Sequence, residues 1–258
     1  MRALYAAATG LSAQQTRIDN IANNLANVST TGFKKSREVF EDLMYQQLSV
    51  GDTSAEVTRP GQVQIGTGAR VVATTRDFSA GSAQYTGDPR NLAIRGRGFF
   101  VLEAPDGTQR FTRDGDFTTN SDGELVTQGG LRVSPGIQIP PDADVQIAAD
   151  GTITAVYKDD PTQPVSLGTI ELVDFSNPNG LQAVGGNMYV ATPESGDALP
   201  MDPEGGQVQL QQYSVESSNV DVAEELVAMI MAQRAFELTS KVMQTADETM
   251  QTVTNLKR

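Results

Sequence analysis

The 258-residue sequence contains no histidine, no cysteine and no tryptophan. Without cysteine there are no disulfides and no thiolate metal sites. Without histidine the commonest general base and metal ligand is missing, which removes Ser-His-Asp and Cys-His chemistry. Paired carboxylates and lysine are the catalytic groups left, so the expectation is a protein that is not an enzyme and binds no cofactor or metal. Nor is there a run of about 18 apolar residues of the kind a membrane-spanning helix needs. The N-terminal stretch lacks the shape of a signal peptide, because Gln14, Gln15, Arg17 and Asp19 interrupt its Ala-rich opening before an apolar core develops.

Positive charge is also scarce. The formal net charge is −13. Residues 76–211 hold 19 acids and 8 bases, and within 133–211 the one base is Lys158. Phosphate contacts require clustered cations, so nucleic acid is excluded as a partner. An acidic surface of this kind stays solvated and repels its own copies except along chosen contacts.

Against these absences stand two heptad stripes at opposite ends of the chain. Leu4, Leu11, Ile18 and Leu25 repeat every seven residues near the N-terminus; Val222, Met229, Phe236, Met243 and Met250 do so near the C-terminus. A heptad stripe must bury its seam against a partner helix, and each end offers the other one. The first helix is predicted over about residues 3–27. Ala7 and Ile21 flank its stripe, and Gly32 stops it by taking the left-handed conformation. A second helix is predicted from about Lys34 to Leu48, with Phe40, Leu43, Met44 and Leu48 on one side. The C-terminal helix is predicted from about Asn219, capped by Ser217, Ser218 or Asn219, with Asp221, Glu224 and Glu225 facing its positive dipole end and Lys257 and Arg258 at the other.

Between the ends the pattern is β. Asp106-Gly107, Asp114-Gly115 and Asp122-Gly123 recur every eight residues, and Asp-Gly between short alternating segments signals hairpins. The expectation is a meander of antiparallel strands at Phe99–Glu103, Arg110–Arg113, Phe117–Asn120 and Glu124–Thr127. Further strands are expected at Val145–Ala148, Thr152–Tyr157 and Gly168–Phe175, followed by a loop over 191–207. The fold class is therefore α+β: antiparallel terminal helices forming a coiled-coil stem (1–48 with 212–258), an extended connector (49–75), and an antiparallel β-rich middle domain (76–211).

Two segments have chemistry that patterning alone does not explain. Asn20, Asn23, Asn24 and Asn27 fall within eight residues of a helix. Each Asn costs about 0.6 kcal/mol relative to Ala in a helix, so this set either caps a frayed end or hydrogen-bonds across helices and fixes their register. Arg95-Gly-Arg-Gly98 lacks the spacing of a phosphate loop, and its glycines fit a bulge or a close backbone approach. The acids around Asp114, Asp116 and Asp122 fail calcium-loop spacing, with Thr118 where a third ligand is needed.

These segments also carry a resemblance. Ala22-Asn-Asn-Leu-Ala-Asn27 with Ser29-Thr-Thr-Gly-Phe-Lys34, and Ser218-Asn-Val-Asp-Val-Ala-Glu-Glu-Leu-Val-Ala-Met229 with Gln233-Arg-Ala-Phe-Glu237, resemble the two ends of the bacterial flagellar rod and hook proteins. Met1-Arg-Ala-Leu-Tyr5, Ile94–Phe100 and Phe111–Phe117 are similar to the branch that builds the distal rod. The resemblance spans the chain, although the acidic stretch 133–211 matches no motif. It implies a structural subunit that polymerises into the tubular distal rod, a rigid drive shaft joining proximal rod to hook. Implied partners are many copies of itself, the proximal rod and hook proteins, the surrounding peptidoglycan-layer and outer-membrane rings, and the type III export apparatus. The implied location is the flagellar basal body, between periplasm and outer membrane, reached without a cleaved signal. Subunit and helix packing falls to the two stripes with Ile21, Asn23, Asn24 and Asn27. Phe40, Leu43 and Met44 match an export-gate element, with a helix face packing on the stem as the competing reading. The rivals are a proximal rod protein of the same family and a secreted cell-wall hydrolase using a carboxylate such as Asp114 or Asp116. The stripes are narrow and broken by Gln14 and the Asn cluster, too weak to hold an isolated stem. Protease treatment of the monomer is accordingly predicted to trim both ends and leave a core near residues 70–210; full resistance at both termini would contradict this.

Overall fold

The computed structural model describes residues 2–48, 63–141, 143–157, 164–201 and 208–256. Residues 49–62 of the expected connector, and Lys257 and Arg258, lie outside the described residues. The chain separates into two compact units, one holding Met1–Ala26, Ser36–Thr75 and Asp221–Arg258, the other Asn27–Lys35 and Arg76–Val220. The backbone therefore passes from one unit to the other four times.

In the first unit, helix α1 covers Arg2–Ala26 and helix α2 covers Val222–Asn255. Helix α2 begins later than the sequence suggests. Asp221 is its N-cap, accepting hydrogen bonds from the backbone N–H of Ala223 and Glu224 on one side-chain oxygen, so Ser217, Ser218 and Asn219 do not cap it. Glu224 and Glu225 occupy the first turn, where negative charge is favourable.

The helix predicted at Lys34–Leu48 is not formed. Ser36–Asp42 and Gln46–Leu48 are strands that pair with Ala69–Arg76 and Val63–Ile65, respectively, and together form the ribbon of the first unit. Val39, Phe40 and Tyr45 favour a pleated backbone, and the partner strands supply a ladder that the local helical spacing did not reveal. The Leu43 N–H donates to the Gly68 carbonyl at 2.9 Å. Strands thus occupy the part of the expected connector that the structure describes.

The second unit is built on a nine-stranded sheet. Its path runs Gln182–Gly185, Met188–Val190, Gln109–Thr112, Phe99–Glu103, Arg132–Val133, Leu125–Thr127, Phe117–Thr119. Leu172–Asp174 adds beside Phe99–Glu103 and carries Leu199–Pro200 at its edge. A three-stranded sheet (Ala143–Ile147, Thr152–Tyr157, Val165–Thr169) and two ribbons (Leu92–Gly96 with Val208–Gln212, Ala83–Tyr85 with Ser214–Glu216) complete it. Residues 212–216, expected in the stem, belong to these ribbons.

The Phe99–Glu103 strand is central because it is apolar on both faces. Successive side chains point to opposite sides of a strand. Phe100 and Leu102 enter a core with Leu92, Phe117, Leu125, Ile153, Leu172 and Val208, while Phe99 and Val101 enter a second with Phe111, Phe175 and Tyr189. Phe100 meets Phe117 edge to face at 5.1 Å between centroids, and Phe111 meets Phe175 at 4.8 Å.

The eight-residue meander is interrupted once. Asp106-Gly107 and Asp122-Gly123 make hairpin turns with positive-φ glycines. Asp114-Gly115 does not: Gln109–Thr112 and Phe117–Thr119 are not neighbours in the sheet. Gly115 is there because the chain crosses the Leu92 strand, whose carbonyl oxygen would lie 1.6 Å from any Cβ at this position. The single strand expected at 168–175 is divided, with positive φ at Gly168 and the Ile170 N–H turned to the Gly151 carbonyl. The loop expected over 191–207 contains the short Leu199–Pro200 strand, and its residues 202–207 lie outside the described residues.

Candidate assembly interface

Helices α1 and α2 pack as an antiparallel pair. Asn24 meets Glu225, with Nδ2 donating to Oε1 at 3.5 Å, and a Cβ on Gly10 would lie 3.6 Å from the Thr239 methyl. Fourteen residues separate these contacts on each helix, so the register holds over about 21 Å. The most buried positions are not the large residues of the heptads. They are Ala7, Ala13, Ile21 and Asn24 on α1, and Glu225 and Ala232 on α2. Leu4, Leu11, Ile18 and Leu25, with Met229, Phe236 and Met243, flank this line half-buried; Val222 and Met250 are exposed. Small residues let the helices approach closely while the larger ones sit at the margins.

The asparagines face several ways. Asn24 Nδ2 also donates to the Ser36 carbonyl at 2.9 Å, and its Oδ1 accepts from the Ser36 N–H at 3.0 Å. The Ser36 hydroxyl donates to Asn20. Asn24 thus ties α1 to the start of the ribbon and to α2. Asn27 accepts the Thr30 hydroxyl just beyond the helix, and Asn23 is exposed on α1.

The outer side of α2 is the unusual surface. Val227, Ile230, Met231, Leu238 and Val242 are all more than half exposed, with Met231 at 64% and Leu238 at 66%. A helix that is apolar on the face turned away from its partner, as well as on the face turned to it, belongs inside a larger helical assembly. The ribbon of the same unit adds Phe40 (41%) and Met44 (87%), while Leu43 is half-buried. Phe40 therefore lies on a strand, with Leu43 and Met44 in the loop after it, and the three do not share one helical face.

In the second unit a charged network sits fully inside. Lys34 has no exposed surface; its Nζ donates to Glu216 Oε1 at 2.6 Å and to the Ser79 carbonyl at 2.7 Å. Glu216 Oε2 accepts from Arg113 Nε at 3.0 Å, and Oε1 also accepts the Gly81 N–H at 2.7 Å. Arg113 donates further to the carbonyls of Gly96 and Gly98. This is why the Arg95-Gly-Arg-Gly98 glycines are needed: both take positive φ and turn their carbonyls to the guanidinium. An unpaired charge at such depth would be prohibitive, and each of these three finds its counter-charge and hydrogen bonds. Periodicity did not reveal this network. Its sole trace in the sequence is that Lys34 and Arg113 stand inside the quoted motifs, while Glu216 lies just before one.

The carboxylates considered for hydrolysis are engaged in loop structure. Asp114 accepts the Asp116 N–H at 3.1 Å, and burial pushes its carboxyl above the usual range, with a Thr31 hydrogen bond pulling the other way. Among the described residues no group of three or more His, Cys, Asp or Glu side chains is disposed to hold a metal ion, and no helix is long and apolar enough to cross a membrane.

Three family models match the chain. The model described as flagella basal body rod protein matches residues 4–34; the flagellar hook protein FlgE/F/G D1 domain matches 93–155; the flagellar basal body rod FlgEFG protein C-terminal matches 211–256. The flagellar basal-body rod protein FlgG of Buchnera aphidicola (from Acyrthosiphon pisum) is 46% identical over 98% of both chains. The FlgG of Borreliella burgdorferi is 45% identical over 100% of this chain and 99% of its own, and that of Bacillus subtilis 38% over 100% of both.

The chain belongs to the flagellar basal-body rod protein family.

The cell-wall hydrolase reading finds no support among these relatives. Each matched region supplies one member of the buried network: Lys34 from the first, Arg113 from the second, Glu216 from the third. The two rod-protein matches also contain the whole antiparallel pairing of α1 and α2 described above.

Burial pushes the Lys34 ammonium below its ordinary value of 10.5, against the pull of Glu216. Between the lowered native value and 10.5 the unfolded chain holds a proton that the folded chain has released, so stability rises with pH in that window. Urea unfolding of the wild type at pH 8 and pH 10 is expected to show a gain in stability with pH relative to Lys34→Met, which lacks the group. Parallel pH dependence in the two proteins would contradict the buried, titratable lysine.

Proposed function

We propose that the chain is a structural subunit of the bacterial flagellar rod that polymerises through its helical unit. The observation that carries this reading is the second apolar face of α2. Fully burying a Val, Leu, Ile or Met side chain contributes about 1.5–3 kcal/mol. Val227, Ile230, Met231, Leu238 and Val242 are more than half exposed, leaving on the order of 5 kcal/mol per subunit to be gained if neighbours cover them. Association costs about 4–15 kcal/mol in lost freedom, so one such contact barely holds two copies together, and many contacts per subunit are required. Contacts made by different patches on each copy do not close on themselves and generate a helical polymer. Leu4, Leu11, Ile18, Leu25, Val222, Met229, Phe236, Met243 and Met250 would line this packing at the margins of the α1–α2 pair, where they remain partly open to further helices.

Within the flagellum, the relatives named as FlgG support the distal rod, a tube joining proximal rod to hook, with the periplasmic and outer-membrane rings around it. The subunit acts through assembly and not through catalysis. The same reading has the subunit reach the rod through the type III export apparatus. The exposure of Phe40, on the Ser36–Asp42 strand, and of Met44, in the loop that follows it, leaves the proposed export-gate element accessible.

Leu238→Asp is expected to abolish polymerisation and motility while leaving the monomer's unfolding transition within about 0.5 kcal/mol of wild type, as exposed positions do. Sedimentation of purified protein and electron microscopy of basal bodies check the first part. Normal rods from this variant would contradict the reading.

A further inference from the structure

Three of the four places where the chain leaves the second unit are bonded directly to one another. The Lys35 N–H donates to Asn219 Oδ1 at 2.8 Å. Asn219 Nδ2 donates to the Asp77 carbonyl at 2.8 Å. The Asp77 N–H donates to the Lys35 carbonyl at 2.9 Å. These bonds close a triangle among the segment before the ribbon, the segment after it, and the segment leading to α2. The remaining entry, after α1, is held alongside: the Gly32 N–H donates to the Glu216 carbonyl at 2.8 Å, and the Asn219 N–H to the Phe33 carbonyl at 3.4 Å. Immediately next to the triangle, Lys34, Glu216 and Arg113 anchor the same segments in the interior.

We propose that the Asn219 triangle, backed by the buried Lys34–Glu216–Arg113 network, is a mechanical clasp through which pull on the helices or the ribbon enters the β-rich unit as one load. The geometry favours this role over a purely stabilising one. Asn219 is not in the apolar core, and it spends both ends of its amide on backbone of two separate segments. A side chain in that position adds little to the packing of the sheet, but it makes three chain segments resist together instead of peeling away one at a time. The rod-subunit reading supplies the source of the force; the clasp itself belongs to the single chain and is tested on it.

The test is single-molecule pulling of the full-length monomer. The absence of native cysteine allows handles at Ala223→Cys, at the start of α2, and at Glu103→Cys, on the central strand. Asn219→Ala in this background is expected to lower the force of the first rupture while the urea midpoint of the β-rich unit stays unchanged. Asn219→Asp, which keeps the acceptor for Lys35 and loses the donor to Asp77, is expected to fall between. An unchanged rupture force in Asn219→Ala overturns the clasp. So does a fall in force matched by an equal fall in the urea midpoint, because that would make Asn219 an ordinary stabilising residue. Polymerisation is not involved in either readout, so failure here is separable from failure of the rod reading.

Discussion

The close approach of α1 and α2 along a seam of small and polar residues is the constraint on which the helical unit depends. Ala7, Gly10 and Ala232 permit the approach, and Asn24 with Glu225 fixes its register. Such a seam buries little apolar surface for its length. The larger residues of both heptads are left at the margins, and those on the outer side of α2 are left in water. A pair built in this way is specified by one chain and leaves apolar surface uncovered. The four asparagines make the same point energetically. The three that lie within α1, Asn20, Asn23 and Asn24, weaken it by roughly 2 kcal/mol as an isolated helix, and Asn24 returns part of that as hydrogen bonds available only once the other helix and the ribbon are in place.

The second unit follows the opposite rule. Its central strand is covered on both faces, its aromatics meet edge to face, and its buried Lys34 and Arg113 share the Glu216 carboxylate. It holds what it needs within its own residues. The contrast suits a polymer subunit: one part buries its core within its own residues, the other leaves the outer side of α2 exposed. The charged network and the Asn219 triangle lie in the self-sufficient part, at the points where the chain leaves for the other.

Much of this was legible in the sequence. Both long helices were, because a seven-residue repeat survives local irregularity, and so were the strands at Phe99–Glu103 and Thr152–Tyr157. What failed did so for identifiable reasons. Phe40, Leu43, Met44 and Leu48 share a helical spacing by coincidence, and the strands they pair with lie beyond residue 62, outside any local window. Asp114-Gly115 carries the same dipeptide as its hairpin neighbours, yet its glycine answers to a backbone crossing with Leu92. The cap of α2 moved to Asp221 because Asn219, an equally good capping residue, is committed to Lys35 and Asp77. The Lys34–Glu216–Arg113 network could not be read from spacing at all, since its members lie 79 and 103 residues apart in sequence order.

The pairing of the chain's own two ends is tested most directly by introducing Gly10→Cys and Thr239→Cys together and oxidising assembled rods. With no native cysteine to compete, the account predicts an intramolecular disulfide: a monomer that migrates faster on a non-reducing gel, in high yield. An absence of cross-link, or a ladder of disulfide-linked multimers in place of the monomer, would show that α1 does not pair with α2 of its own chain in the polymer.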